Sequence, residues 1–302
     1  MTYVVPMNAR AWALFAAVSV VWGVPYFFIK VALDEGVPPT FVAWSRIALG
    51  ALVLLPLALR AGALRGLRGR GLAILGYAAC EIAIPFTLIT LGEERVSSSL
   101  TAILIASMPL IVALLAFRLT PQDRPGPLRI VGLVVGLGGV VALLGVDVAG
   151  QSDELVGAAM ILVATVSYAI APFIIDRKLA DVDPLGPVTA SLCVAALALL
   201  PLAIAAPPDA VPSLQAFGAI AMLGVVCTAL GLVLFFMLIA TAGPSRASVI
   251  TYVNPLVAVA LGAAVLDEQL SVATGVGLVL ILLGSWLSTL RRRVPDPAVV
   301  PV

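Results

Sequence analysis

The chain has 302 residues, 62% hydrophobic and 11% charged, with a formal charge of +1. Soluble domains carry about 45–50% apolar and about 25% charged residues, so a soluble enzyme is excluded. The absence of a basic excess also argues against a nucleic-acid partner.

A helix that crosses a bilayer needs roughly 20 apolar residues. Ten such stretches follow one another, at about 10–33, 39–59, 71–92, 96–117, 127–146, 154–176, 184–206, 214–241, 244–266 and 271–290. The breaks between them are turn-forming: Gly36-Val37-Pro38-Pro39, Pro121 to Pro127, Gly150 to Asp153, Asp181 to Pro184, Pro207 to Pro212 and Gly243-Pro244. The first stretch ends in Lys30 rather than a small-residue cleavage site, so it reads as a span and not as a leader. The proline-rich residues 294–302 are expected to form a flexible cytoplasmic tail. The predicted fold is an all-α membrane protein of ten transmembrane helices, with the lipid bilayer as its main partner.

Basic residues favour the cytoplasmic side. With the N-terminus inside, the inner segments hold Arg10; Arg60, Arg65, Arg68 and Arg70; Arg118, Arg124 and Arg129; Arg177 and Lys178; Arg246; and Arg291, Arg292 and Arg293, which is 14 of the 17 basic residues. The outer segments collect Asp34, Glu35, Glu93, Glu94, Asp147, Asp153, Glu154, Asp209, Asp267 and Glu268. Both termini are therefore expected in the cytoplasm.

The chain also repeats itself at an offset of 145–146. Leu52-Val53-Leu54-Leu55-Pro56-Leu57-Ala58 matches Leu197-Ala198-Leu199-Leu200-Pro201-Leu202-Ala203, Pro109-Leu110 matches Pro255-Leu256, and Gly132 and Gly139 match Gly277 and Gly284. Asp123 falls on Glu268, Arg46 on Ser191, and the face Ser19, Trp22, Tyr26, Lys30 falls on Thr165, Tyr168, Pro172, Asp176. The expected units are residues 10–146 and 154–290. Five spans per unit is an odd number, so the two units are inverted relative to one another. Inverted repeats belong to alternating-access carriers, which bind solute near the midplane between the halves.

Ionisable groups inside a span are functional candidates by default. Glu81 is the only carboxylate deep in a span, with Tyr77 and Pro85 one turn to either side. It reads as a proton site, as a partner for an ammonium group, or as a packing carboxyl. Arg46 lies one to two turns into its span, where snorkelling or an ion pair is expected. Lys30 reads as an interfacial anchor. Trp22, Tyr26, Tyr77, Tyr168 and Tyr252 are the expected aromatic walls of a cavity, and Thr251 and Asn254 supply polar groups beside Tyr252. Trp12 and Trp286 sit at span ends and read as belt residues. Pro25 and Pro172 are the expected hinges, and the glycines of the fifth and tenth spans are expected to allow close helix packing. Histidine is absent, and Cys80, Cys193 and Cys227 lie in apolar runs. No metal, cofactor or disulfide framework is expected. An enzyme is not expected, since Glu81 alone makes no catalytic constellation. The ATP-binding pattern G-x4-G-K-S/T is also missing.

Trp22-Gly23, Lys30, Arg46, Pro109, Asp123 and Gly132 with Gly139, answered by Tyr168, Arg177, Pro255, Glu268 and Gly277 with Gly284, resemble the EamA type of the drug/metabolite transporter superfamily. Within it the chain is most similar to the YddG-type amino-acid exporters. That resemblance implies an inner-membrane carrier of amino acids, aromatic and neutral ones included, acting as an exporter or facilitator and as a monomer or weak homo-oligomer. Asp123 stands where the family has Glu, and the second half lacks a match for Arg46. The alternative is an exporter of cationic or amphipathic compounds, proton-coupled through Glu81. The scarcity of Lys, 2 of 17 basic residues, fits a bacterial source.

Overall fold

A computed structural model describes residues 7–119, 126–147 and 152–289. Asp123 and the tail 294–302 lie outside the described residues. Among the described residues there are ten helical spans: α1 (Ala9–Asp34), α2 (Pro39–Ala61), α3 (Gly71–Glu93), α4 (Ser98–Ala116), α5 (Pro127–Gly145), α6 (Ser152–Leu179), α7 (Leu185–Ala205), α8 (Leu214–Ala242), α9 (Ile250–Val265) and α10 (Val272–Thr289). Nine have the length and composition to cross a membrane, and α9, shorter, is preceded by the helical turn Pro244–Ala247. Inner and outer ends are named here from the distribution of basic residues.

Local chemistry fixes the ends of the spans. Asn8 Oδ1 accepts from Ala11 N–H at 2.8 Å and starts α1. Gly62, at φ +67°, takes the left-handed turn that closes α2. Ser213 accepts from Ala216 N–H at 3.1 Å to start α8 and donates to Glu35 Oε2 at 2.6 Å, tying the outer ends of the two repeats together.

The repeats meet along α5 and α10. These run antiparallel, with Gly132 and Gly136 against Gly284, and Gly139 against Gly277. A Cβ at Gly284 would run into the backbone of Gly136, so the contact is backbone on backbone. The glycine pairs expected from the repeat thus face each other across the twofold relation. Large aliphatic side chains such as Leu52, Val141, Leu197 and Ile204 point outward from the bundle, as lipid-facing positions require. Trp12 and Trp286, at span ends, are more than half exposed.

Several spans are not simple helices. α1 is interrupted at Val24, and Pro25 opens its outer half. α4 is interrupted at Ala106-Ser107. α3 winds as a π-helix over Ala78–Ala83, and α8 does so over Met222–Leu230. α3 and α8 are equivalent spans of the two repeats, so the irregularity is itself repeated.

Candidate functional site

A π-helical turn leaves carbonyls out of the ordinary ladder and recurs at functional sites. In both repeats a cysteine carbonyl is taken up by a neighbouring span. Trp22 Nε1 of α1 donates to Cys227 O of α8 at 3.1 Å, and Ser167 Oγ of α6 donates to Cys80 O of α3 at 3.0 Å. Each bond runs between the repeats, from the first span of one to the third span of the other. Trp22 also stacks on Phe235, with ring centroids 4.7 Å apart. Its indole is therefore committed to the α1–α8 contact.

Glu81 lies in the π-turn of α3, half-buried, and forms no hydrogen bond or ion pair among the described residues. Tyr77, one turn inward, is buried, and Tyr168 of α6 is half-buried. Tyr168 packs against the same apolar cluster as Tyr26 of α1, and Phe86, which carries Arg46 of α2 on its face, packs against the cluster that holds Tyr77. These residues from α1, α2, α3 and α6 thus converge on one region.

Arg46 belongs to this region and corrects the expectation placed on it. It neither snorkels nor pairs: the residue is 6% exposed, its guanidinium carbon lies 3.9 Å from the centroid of the Phe86 ring, and its Nε has no partner. No carboxylate oxygen lies within ion-pair distance of it among the described residues. The position is about 10 Å from the outer end of α2, by the 1.5 Å rise of a helix. A cation on an aromatic face, with most of its donors free, is an anion-binding group held ready.

Glu93 was expected on the outer surface. It is instead the last residue of α3 and fully buried, and neither carboxylate oxygen has a partner. The burial follows from Gly92, which abuts Gly157 and Ile161 of α6 with no room for a side chain. Lys30 donates to the backbone carbonyl of Glu93 at 3.3 Å and lies 3.8 Å from Asp34. Glu268 caps α4 by accepting from Ser98 N–H and Oγ, both at 2.8 Å, from Ser99 N–H at 3.1 Å and from Ser99 Oγ. The left-handed residue Asp267, at φ +53°, makes the turn that delivers it.

The remaining candidates sit apart. Asn254, with its amide nitrogen facing carbonyls, donates to Ile250 O at 2.9 Å and to Ser19 O at 3.2 Å, and so ties α9 to α1. Tyr252 OH meets Thr289 Oγ1 at 3.0 Å, against α10 near the inner end. Thr251 is half-buried. Pro25 stands at the break in α1, whereas α6 runs on through the exposed Pro172 to Ile174 before a π-turn at Ile175–Leu179. A depression of about 290 Å³ at the outer surface is lined by Lys30, Asp34, Glu94 and Pro38.

At the inner end, Arg70 makes a two-pronged pair with Asp181, at 2.5 and 2.6 Å, and also donates to Lys178 O at 2.8 Å. The pair bridges the repeats outside the membrane-spanning segments. The bond to Arg70 holds the Asp181 carboxyl below the usual carboxylate range, and the same bond raises Arg70.

The profile of the EamA-like transporter family matches the chain twice, over residues 10–145 and 155–290. The chain is 30% identical to the uncharacterized inner membrane transporter YedA of Escherichia coli (strain K12), covering 96% of this chain and 94% of YedA. It is 26% identical to protein PagO of Salmonella typhimurium, covering 93% of each. A solved crystal structure superposes with a TM-score of 0.64 at 19% identity over 93% of this chain and 97% of that one, which shows a common fold. Two five-helix repeats, membrane-length apolar spans and these matches together make the chain a multi-pass membrane transporter of the EamA-like family.

Proposed function

We propose that the protein carries amino acids, aromatic and neutral ones among them, across the bacterial inner membrane by alternating access between its repeats. Both termini are placed in the cytoplasm in this reading. The observation that carries it is the buried, unpaired Arg46 over Phe86. A solute carboxylate completes the donors of Arg46, and a solute ammonium meets Glu81. The side chain of the solute lies among Tyr26, Phe86 and Tyr168. A purely cationic solute fits less well, since it would approach an uncompensated guanidinium. The inner-membrane placement draws on the description of YedA.

Uptake of labelled phenylalanine into proteoliposomes tests the proposal. Saturable uptake should be competed by neutral amino acids and not by cationic dyes. Arg46→Gln should lower kcat/KM by about 10- to 100-fold, the weight of a hydrogen bond to a charged group. Arg46→Lys should restore only part, because the planar fork is lost. Uptake blocked only by cationic dyes, or no saturable uptake at all, overturns the amino-acid reading.

A further inference from the structure

Two polar contacts between the repeats answer one another across the bilayer. At the outer surface Ser213, which caps the start of α8, donates from Oγ to Glu35 of the α1–α2 turn at 2.6 Å. At the inner surface Arg70, at the N-cap position of α3, donates through two nitrogens to Asp181 of the α6–α7 turn. Glu35 falls on Asp181 at the repeat offset of 146, and Ser213 and Arg70 hold the N-cap positions of equivalent spans. The same helix pairs are joined again at their π-turns, about 15–20 Å deeper by the 1.5 Å rise of a helix: α1 to α8 by Trp22–Cys227, and α6 to α3 by Ser167–Cys80. The α1–α8 pair is thus pinned at mid-span and at its outer end, and the α6–α3 pair at mid-span and at its inner end. The Glu268 cap of α4 differs in kind. Ser98 and Ser99 are buried, and α4 shares one core with α5 and α10 through Leu100, Ile103, Leu143 and Ile281, beside the glycine contact of backbone on backbone.

We infer that Ser213–Glu35 and Arg70–Asp181 are the outer and inner latches of one rocking cycle, and that their inequality makes the empty carrier rest open to the outside. The inference rests on the alternating-access reading and not on the identity of the solute. Each mid-span bond sits where a π-turn frees a carbonyl, and it acts as a fulcrum while the end of the same helix pair parts. The latches themselves are unlike. The outer one is a single hydrogen bond from a neutral hydroxyl that also serves Ala216 N–H. The inner one joins two full charges through a two-pronged contact, and Arg70 adds a bond to Lys178 O. Both are closed in this structure. Opening to the outside gives up the weaker contact and keeps the stronger, and opening to the inside does the opposite. Both latches lie in solvent, so the bias is a few-fold difference in population and not a lock.

Two buried residues report the two ends without any solute. Val37 shares a core cluster with Ala216 and Ala219 of α8 beside the outer latch, and Ala63 lies against Gly186 of α7 beside the inner one. Val37→Cys and Ala63→Cys, one at a time in the purified full chain, are labelled with a maleimide over the background of the native cysteines. Each rate is divided by that of the same cysteine in the denatured chain. Val37→Cys should react faster than Ala63→Cys. Asp181→Asn should speed Ala63→Cys about two- to fivefold and slow Val37→Cys. Glu35→Ala, which leaves Ser213 to cap α8, should do the reverse and by less. Opposite changes at the two ends mark a latch, whereas a contact that only holds the fold together would loosen one end alone or both at once. Either of those results, or an Ala63→Cys rate equal to or above that of Val37→Cys, overturns the inference. Saturable phenylalanine uptake by wild type would then leave the carrier reading standing. Opposite changes without any phenylalanine uptake support the latches and remove the amino-acid reading alone.

Discussion

Trp22 shows how a residue expected in a cavity wall can instead hold two spans together. Its indole N–H has a specific acceptor, Cys227 O, and its ring has a specific neighbour, Phe235. Trp22→Phe keeps most of the apolar surface and deletes the donor. It should lower folding stability by about 1 kcal/mol, read as a lower thermal unfolding midpoint in detergent. Ser167→Ala makes the same deletion in the other repeat and should cost about the same. The candidate residues Tyr26, Glu81 and Tyr168 were legible because polar and aromatic groups are rare within spans. Arg46 was visible too, but its role was not. Two turns from a span end is where a snorkelling side chain is expected, and only the fold brings Phe86 from another helix beneath it. Glu93 was obscured by its neighbours Glu94 and Arg95, which read as a surface loop. The close approach of Gly92 to Gly157 that buries it is a contact between distant parts of the chain.

At the level of helices, the ten spans and their connecting turns were readable from apolar length and turn residues. Pairing through glycine was also suggested by the repeated Gly132/Gly139 and Gly277/Gly284. Gly284→Ala should disturb the α5–α10 contact, since its new methyl group meets the backbone of Gly136. Overpacking of this kind costs about 1–3 kcal/mol, so the thermal midpoint and the folded yield should both fall. Gly138→Ala on the partner helix α5 meets nothing within 4 Å. It should be neutral or stabilising by up to about 1 kcal/mol through helix propensity. Equal loss in both variants would contradict a specific glycine contact. The interruptions of α1 and α4 were only partly legible. Proline marks Val24-Pro25, but Pro172 rides inside a continuous helix. A proline therefore permits a break without dictating one.

Across the whole molecule, the repeats are tied at both ends: by Glu35–Ser213 and Glu268–Ser98/Ser99 outside and by Arg70–Asp181 inside. Asp181→Asn should loosen the inner end, read as faster thiol labelling of a cysteine placed at Val182, over the background of the native cysteines. The pH dependence follows from the lowered value of Asp181. Its contribution is present above the ordinary carboxylate value of 3.8 and is lost as pH falls through its lower folded value. The difference between wild type and Asp181→Asn should therefore be flat over neutral and mildly acidic pH and vanish only in strong acid. Its size should be small, because the pair is exposed to solvent. The inverted relation of the repeats was legible from counting spans, whereas these ties were not, since single polar residues in short turns carry no pattern.

The paired π-turns have a further consequence, for the angular phase of a span. Each residue of an α-helix advances about 100°, so a π-turn resets the direction in which everything beyond it points. The two halves of α3 are thus set independently: Ile74 and Tyr77 face the core by one phase, and Phe86 reaches Arg46 by another. Deleting a single residue within Ala78–Ala83 would restore the regular ladder and swing Phe86 around the helix, away from Arg46. The span would still be apolar, still long enough and still in the membrane. Length and hydropathy preserve the address of this protein, while the π-turn in the third span of each repeat aims its chemistry.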